Sequence, residues 1–290
     1  KHHGIGEDNI VPTNGGDELL RLIITTFANH GDVLAVAEPS YSLYPVLAQI
    51  HHCELVRIPL NDNWGLAKDF AQQLNAAKAK LAFIVNPHAP TGLLSDAESL
   101  LSIAKEFKGV LVIDEAYIDF IDPQLNHDLI PQVVKLDNVI ILRTLSKGYS
   151  LAGLRFGYGI GPQSLISPML YKTRDSYNTD YISQQLACAA IESVDYASQT
   201  WHKVRQMRQQ LSQQLQQLGL SSLASESNFL LVQIPAQFEA KALYLALKAQ
   251  NILVRYFDEP RLDDKLRITV GTQQENQQLL DGLSMLLKQG

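Results

Sequence analysis

Between Leu142 and Gly161 the chain reads Leu-Arg-Thr-Leu-Ser-Lys-Gly-Tyr-Ser-Leu-Ala-Gly-Leu-Arg-Phe-Gly-Tyr-Gly-Ile-Gly. Its lysine, Lys147, follows an apolar run, Val139 to Leu142, that reads as a buried strand, and Arg155 lies eight positions further on. A lysine beside apolar strands is costly unless it is paired or covalently used. Desolvation lowers the pKa of an amine and fits it to attack an aldehyde and form a Schiff base. The hydroxyls of Thr144 and Ser146, with the planar cation of Arg155, suit a phosphate monoester. An aldehyde and a phosphate on one small molecule describe pyridoxal phosphate. Taken alone, the same residues also fit a solvated surface loop.

Other polar groups stand at the ends of apolar runs. Asp114 follows Val110 to Ile113. A carboxylate at a buried strand end needs a cation or hydrogen-bond donors. A protonated pyridine nitrogen would serve, and the pairing would keep the ring an electron sink; a helix cap or a core ion pair would also satisfy it. The run Val-Leu-Val-Ile-Asp-Glu is similar to the acidic strand of a P-loop hydrolase, but no Gly-x-x-x-x-Gly-Lys-Ser/Thr stretch accompanies it, so that class is excluded. Tyr117 and Asn86 can donate to a phenolate oxygen, and Tyr41 can stack on an aromatic ring. The glycines before Asp17 open an amphipathic stretch, Leu19 to Ala28. The free amides of such a helix start, here those of Gly16 and Asp17, can face an anion or serve a plain capped turn.

The elements that must position these groups alternate. Val33–Ala37, Leu81–Val85, Val110–Ile113 and Val139–Leu142 read as strands, most of them buried on both faces, with Phe156–Ile160 as a further strand. Tyr41–Ile50, Ala67–Ala77 and a stretch capped by Ser95, with Glu98 three residues on, read as helices. Lys1 to Thr13 reads as a loop or a frayed helix end. This pattern predicts an α/β large domain, a mainly parallel sheet sandwiched by helices, in which functional groups gather at the carboxyl ends of strands. Tyr181 to about Leu218 reads as long helix, then Gly219 to Ser227 as loop. Short strands at Phe229–Ile234, Ile252–Tyr256 and Leu266–Val270 alternate with helices at Glu239–Ala249 and Gln274–Lys288. This predicts a small α+β C-terminal domain over 201–290, after a large domain over 1–200.

With 290 residues, 46% hydrophobic, the chain can bury a large core. A formal charge of -6 argues against nucleic acid or an anionic membrane as partner. Its two cysteines, Cys53 and Cys188, exclude a disulfide framework and a cysteine-rich zinc site, and suit a reducing, cytoplasmic setting. No apolar run has membrane-spanning length.

Several segments together resemble one family. Asn86-Pro-His-Ala-Pro-Thr-Gly92, Asp114-Glu-Ala-Tyr117 and Ser146-Lys147 with Arg155 are similar, in order and spacing, to the motifs of fold-type I pyridoxal-phosphate aminotransferases. Ile-Asp-Glu-Ala-Tyr-Ile-Asp-Phe (113–120), Leu-Arg-Thr-Leu-Ser-Lys (142–147), Leu-Ala-Gly-Leu-Arg-Phe-Gly-Tyr (151–158), Tyr177-Asn178 and Leu-Arg-Ile-Thr-Val-Gly-Thr (266–272) resemble the histidinol-phosphate branch. The resemblance implies that Lys147 holds the cofactor as a Schiff base and then shuttles a proton. It implies that Asp114 pairs with the pyridine nitrogen, that Tyr117 and Asn86 hold the 3'-oxygen, and that Tyr41 stacks on the ring. The amides of Gly16 and Asp17, with Thr144, Ser146 and Arg155, would bind the phosphate. Asn178 would lie near the site, and Arg255 with Arg267 would hold the substrate's phosphate or glutamate's carboxylate. A homodimer is implied, with an N-terminal segment ahead of Lys1 that closes over the site; without it, this chain is expected to bind cofactor yet work poorly. His88 and Ala89, where the family often has asparagines, read as variable turn positions. Alternatives on the same scaffold are an aromatic-amino-acid aminotransferase and an amino-acid-phosphate decarboxylase; a non-catalytic effector module is a further alternative.

Overall fold

A computed structural model describes residues 2–288. The strand β1 (Ile10–Thr13) leads into α1 (Gly16–Phe27), and β2 (Val33–Glu38), α2 (Leu43–Ile50), β3 (Glu54–Pro59) and α3 (Phe70–Ala76) follow. Next come β4 (Leu81–Val85), α4 (Ala97–Glu106), β5 (Val110–Asp114), the single turn α5 (Ile130–Val133), β6 (Val139–Thr144), β7 (Gly157–Ile160) and α6 (Gln163–Pro168). The C-terminal part comprises α7 (Tyr181–Glu192), α8 (Val194–Gln217), β8 (Ser221–Ser222), β9 (Phe229–Gln233), α9 (Ala240–Ala249), β10 (Arg255–Tyr256), β11 (Lys265–Thr269) and α10 (Gln273–Lys288).

Seven strands form one sheet in the order β1-β7-β6-β5-β4-β2-β3. The five strands from β6 to β3 pair parallel, and β7 runs antiparallel to both β6 and β1. The continuous apolar runs exist because the sheet is covered on both faces. On one face Ala82, Ile84, Leu111, Ile113 and Ile141 pack with Phe70, Leu74 and Leu100 from α3 and α4. On the other Leu81, Phe83, Val85, Val112, Ile140 and Leu142 pack with Leu19, Ile23, Tyr44 and Leu47 from α1 and α2. Two-residue periodicity therefore assigns the ends of the strands. Asp114 continues the Val112 face, towards α1 and α2, and Glu115 follows it with the opposite parity.

A second sheet, antiparallel throughout in the order β10-β11-β9-β8, has its own core of Leu230, Val232, Leu266 and Ile268 against Leu211, Leu215, Leu247 and Leu283 from α8, α9 and α10.

Four local expectations are corrected. The N-terminal stretch is no helix end: Ile10–Thr13 is an edge strand paired with Gly157–Ile160. The cap of α4 is Asp96, whose carboxylate accepts from the Ser99 amide at 2.8 Å; Ser95 instead serves Asn86. The long helix is broken at Ser193, where the hydroxyl bonds back to the Ala189 carbonyl at 2.8 Å and competes with the helical ladder. The loop after Gly219 contains the short strand β8.

Candidate active site

The carboxyl ends of β4, β5 and β6 lie side by side, with Val85 in register with Asp114 and Asp114 with Leu142. Asp114 is 5% exposed. Its Oδ2 accepts from the Tyr44 hydroxyl at 2.9 Å and its Oδ1 from the Ala116 amide at 3.1 Å. Among the described residues no cation lies within ion-pair distance of it. Burial pushes its pKa up to about 6, against the pull of Tyr44 and Ala116. Tyr44 is buried by stacking on Phe83 at 5.0 Å. It sits within the helical stretch read from Tyr41 to Ile50; the i, i+3 spacing from Tyr41 could have signalled it.

Tyr41 meets Tyr44 edge-on at 5.6 Å, and its hydroxyl is 3.5 Å from Asp17 Oδ1. Burial and the charges of Asp17 and Asp114 push its phenol up to about 12. At the start of α1, Gly15 adopts a φ of 82°, and a Cβ there would overlap the Arg155 guanidinium. A Cβ on Gly157 would overlap the Gly15–Gly16 peptide. The first-turn amides of α1 lack helical acceptors and stand beside Arg155, whose Nη2 is 3.8 Å from Asp17 Oδ2. Thr144 is buried, and its Oγ1 contacts Ser146 Oγ at 2.9 Å and the Phe156 carbonyl at 3.2 Å. Two glycines, a cation and two hydroxyls thus come together at the start of α1, a set of groups suited to an anion.

Lys147 differs from expectation in one respect. Its side chain is exposed rather than sunk among the strands. Its Nζ lies 5.7 Å from the centre of the Tyr117 ring. From Tyr117 a row of rings and cations leads into the second sheet. Tyr117 meets Phe229 edge-on at 5.1 Å, and Arg267 lies 4.9 Å over Phe229 and 5.6 Å from Phe257. Arg255 is 5.2 Å from the Phe257 ring and in register with Arg267 across β10 and β11. Burial lowers the pKa of Arg267, and neither arginine has a carboxylate partner among the described residues. Phe229 and Phe257 were not singled out in the sequence, where they look like ordinary core residues.

Two residues make bonds that their expected roles did not include. Asn86 is buried with Oδ1 accepting from the Ser95 amide at 2.7 Å, while Nδ2 contacts the Ser95 carbonyl and His127 Nε2, each at 3.2 Å. Its amide nitrogen thus donates to the Ser95 carbonyl and lies beside the His127 ring. Asn178 donates to the Pro12 carbonyl at 2.8 Å, next to the Thr13–Gly16 turn. His88, read as a variable position, is buried and uses both ring nitrogens. Nε2 bonds the Pro39 carbonyl at 3.0 Å, and Nδ1 meets the Thr91 hydroxyl at 2.8 Å. A carbonyl only accepts, so Nε2 carries the proton. The ring ties the turn after β4 to the loop that carries Tyr41. On the other face of the sheet Glu115 is fully buried against Arg143 Nε at 2.7 Å, and its Oε1 lies 3.9 Å from His127.

A family model for aminotransferases of class I and II matches residues 2–283. The chain belongs to the class I and II aminotransferases. This aminotransferase is 40% identical over 285 residues to histidinol-phosphate aminotransferase of Microcystis aeruginosa, a match covering 98% of this chain and 79% of the relative. Histidinol-phosphate aminotransferase 1 of Trichormus variabilis is 41% identical over the same length, with the same two coverages. The crystal structure of histidinol-phosphate aminotransferase from Sinorhizobium meliloti in complex with pyridoxal-5'-phosphate superposes with a TM-score of 0.93 at 26% identity, over 99% of this chain and 79% of that one. L-threonine-O-3-phosphate decarboxylase from Porphyromonas gingivalis, 19% identical with a TM-score of 0.83, shares the aminotransferase's fold.

Proposed function

We propose that this aminotransferase uses pyridoxal phosphate to move an amino group between glutamate and a keto phosphate. In that reaction imidazole-acetol phosphate becomes histidinol phosphate and glutamate becomes 2-oxoglutarate, a step of histidine biosynthesis. One arrangement carries the reading: the charges of both Asp114, a buried carboxylate, and Arg267 act on Tyr117, and among the described residues neither Asp114 nor the arginine pair Arg255 and Arg267 has an ion-pair partner.

The residues suit the cofactor. When bound, pyridoxal phosphate supplies an aldehyde for the amino group and a ring that draws electrons from the substrate's α-carbon. Asp114 would pair with the ring nitrogen and favour its protonated form, and its environment suits such a partner because an isolated buried carboxylate is costly. Arg155, Thr144, Ser146 and the amides of Gly16 and Asp17 hold the phosphate. Tyr41 would stack on the ring, and Tyr117 and Asn86 would donate to the 3'-oxygen. Lys147 Nζ would hold the aldehyde and would be the group placed to carry the proton of the substrate's α-carbon. Arg255 and Arg267 bind the phosphate of one substrate and the side-chain carboxylate of glutamate, alternately, since both are anions suited to a guanidinium fork. Asn178 steadies the turn before α1.

Three further assignments accompany this reading. The large domain ends near residue 200, within α8. The segment from Tyr177 to Tyr196, with exposed Tyr177, Tyr181, Ile182, Leu186 and Tyr196, supports a homodimer, because monomers seldom leave so many large apolar groups in water. The unpaired cysteines Cys53 and Cys188 support the cytoplasm as its place.

Loading the chain with pyridoxal phosphate should produce a visible absorbance band that glutamate bleaches. Histidinol phosphate should turn over with 2-oxoglutarate better than phenylalanine does. Release of carbon dioxide, or a preference for phenylalanine, would replace this reading with one of its relatives on the same scaffold.

A further inference from the structure

Lys147 is exposed, so side-chain packing does not aim its amine. Its direction is set by the main chain of the turn that carries it. Two bonds close that turn locally: the Ser150 amide donates to the Lys147 carbonyl at 3.0 Å, and the Leu151 amide to the Leu145 carbonyl at 3.1 Å. One side-chain bond reaches the turn from far along the chain. Trp201, in α8, donates its indole N–H to the carbonyl of Gly148 at 2.7 Å, across 53 residues of sequence. The indole also meets the next residue, Tyr149, edge-on at 5.4 Å. On Gly148's other side stands Asp119, which a Cβ at position 148 would overlap. Gly148 is thus held between a carboxylate and an indole, one residue from the amine.

The helix that brings Trp201 has other ties. Arg208 donates to the carbonyls of Ser227 at 2.8 Å and Phe120 at 3.3 Å and pairs with Glu226 at 2.9 Å. Leu211 and Leu215, further along α8, belong to the core of the second sheet, which carries Arg255 and Arg267. One rigid rod therefore touches the lysine turn at one end and the sheet bearing the arginine pair at the other.

We infer that Trp201 is a positioning residue for Lys147, acting through the Gly148 carbonyl. The assignment rests on the role given to Lys147 above. A tryptophan that merely filled space would need its ring and not its N–H. Here the half-buried indole spends its N–H on the carbonyl of the residue after Lys147, and a bond of 2.7 Å is at the short end for such a pair.

The test separates the donor from the ring. Trp201→Phe keeps an aromatic ring and removes the N–H. The benzothienyl analogue of tryptophan at position 201 keeps the full bicycle without a donor, and stands in if the phenylalanine variant does not fold. In the chain without cofactor, hydrogen exchange at the Ser150 and Leu151 amides should quicken about tenfold, the value of one lost hydrogen bond, with exchange in the rest of α8 unchanged. In the loaded chain, the pH midpoint of the visible band should move by about half a unit or more, since the amine's surroundings change. Unchanged exchange at Ser150 with an unchanged midpoint overturns the inference, even if the variant melts lower. If the wild-type chain shows no visible band with pyridoxal phosphate, the role of Lys147 itself fails, and the exchange data still report whether Trp201 holds the turn.

Discussion

The hydroxyl of Tyr44 donates to Asp114 Oδ2 at 2.9 Å, and among the described residues no cation lies within ion-pair distance of that carboxylate. Helix α2 thus supplies a neutral donor to a charge at the end of β5. A neutral donor offsets only part of the cost of burying a carboxylate. The remainder keeps the Asp114 pKa raised to about 6, with burial as the leading cause.

That cost gives the first prediction. The unfolded value is about 3.9, so the folded chain binds this proton more tightly than the unfolded chain. The group's stabilising contribution is complete below pH of about 4 and is lost as pH rises through about 6, on the order of 2–3 kcal/mol in all. Asp114→Asn should remove that dependence. The unloaded variant is expected to melt no lower than wild type at pH 7.5, while losing affinity for pyridoxal phosphate. A clear fall in its melting temperature at pH 7.5 would show that the carboxylate is not strained by burial.

His88 titrates in the opposite sense. Burial holds its pKa down to about 4, although the Pro39 carbonyl pulls it up. The unfolded ring titrates near 6.5, so this contribution is present above that pH and is lost as pH falls through about 4, on the order of 3 kcal/mol. His88→Gln should lose this acid sensitivity, seen as a smaller drop in melting temperature between pH 7 and pH 4 than in wild type. Since His88 also anchors the Tyr41 loop, its cofactor affinity should fall severalfold. Equal acid sensitivity in the two proteins would count against a buried neutral ring.

Arg267 stands over Phe229, with Arg255 in register beside it. Charge-assisted bonds to an anion contribute about 1.5–3 kcal/mol each. Arg267→Ala should therefore raise the half-saturating glutamate concentration for bleaching by about tenfold to a hundredfold. Arg255→Ala, which removes the more exposed partner, should cost less. Neither should lower thermal stability much, because each removes a cation without a carboxylate. Saturation at wild-type glutamate concentrations in the Arg267 variant would remove these residues from the substrate site.

Gly15 has a φ of 82° and lies against the Arg155 guanidinium. With a ψ of 172° the backbone there is essentially confined to glycine, so alanine should cost about 1–3 kcal/mol and also displace Arg155. Gly15→Ala is expected to lower the melting temperature and to weaken pyridoxal phosphate binding more than it weakens binding of pyridoxal without its phosphate. An equal loss for both ligands would place the phosphate elsewhere.

Ile182 is 69% exposed beside Tyr181 and Leu186 on α7. A charge on a buried apolar contact costs several kcal/mol. Ile182→Asp should shift the chain towards monomer in sedimentation experiments, with its melting temperature little changed at low concentration. A wild-type chain already monomeric at tens of micromolar would move the dimer contact away from this face.

Much of the fold was legible because period and length carry it. Four apolar runs of four or five residues, separated by helical spacing, require strands covered on both faces, and those strands form the centre of the sheet. The order and spacing around Asn86, Asp114 and Lys147 likewise disclosed the family. The N-terminal strand was not legible, since Ile10–Thr13 has too few alternations to stand out and becomes a strand only when Gly157–Ile160 lies beside it. The choice of Asp96 over Ser95 as a cap was decided by Asn86, 9 residues away in sequence, which takes both main-chain groups of Ser95.

The sequence by itself determined which residue types could hold an aldehyde, a phosphate and a ring nitrogen, and that strand ends would gather them, because chemistry and periodicity are local properties. Tertiary structure alone decided that Tyr44 and not a cation meets Asp114, that His88 bridges two loops, that Lys147 is exposed, and that Trp201 reaches the carbonyl next to it. The first, second and fourth are contacts between residues distant in the chain, and the third is what the packing leaves uncovered. Such contacts follow from how layers pack and strands register, which no single stretch of residues encodes.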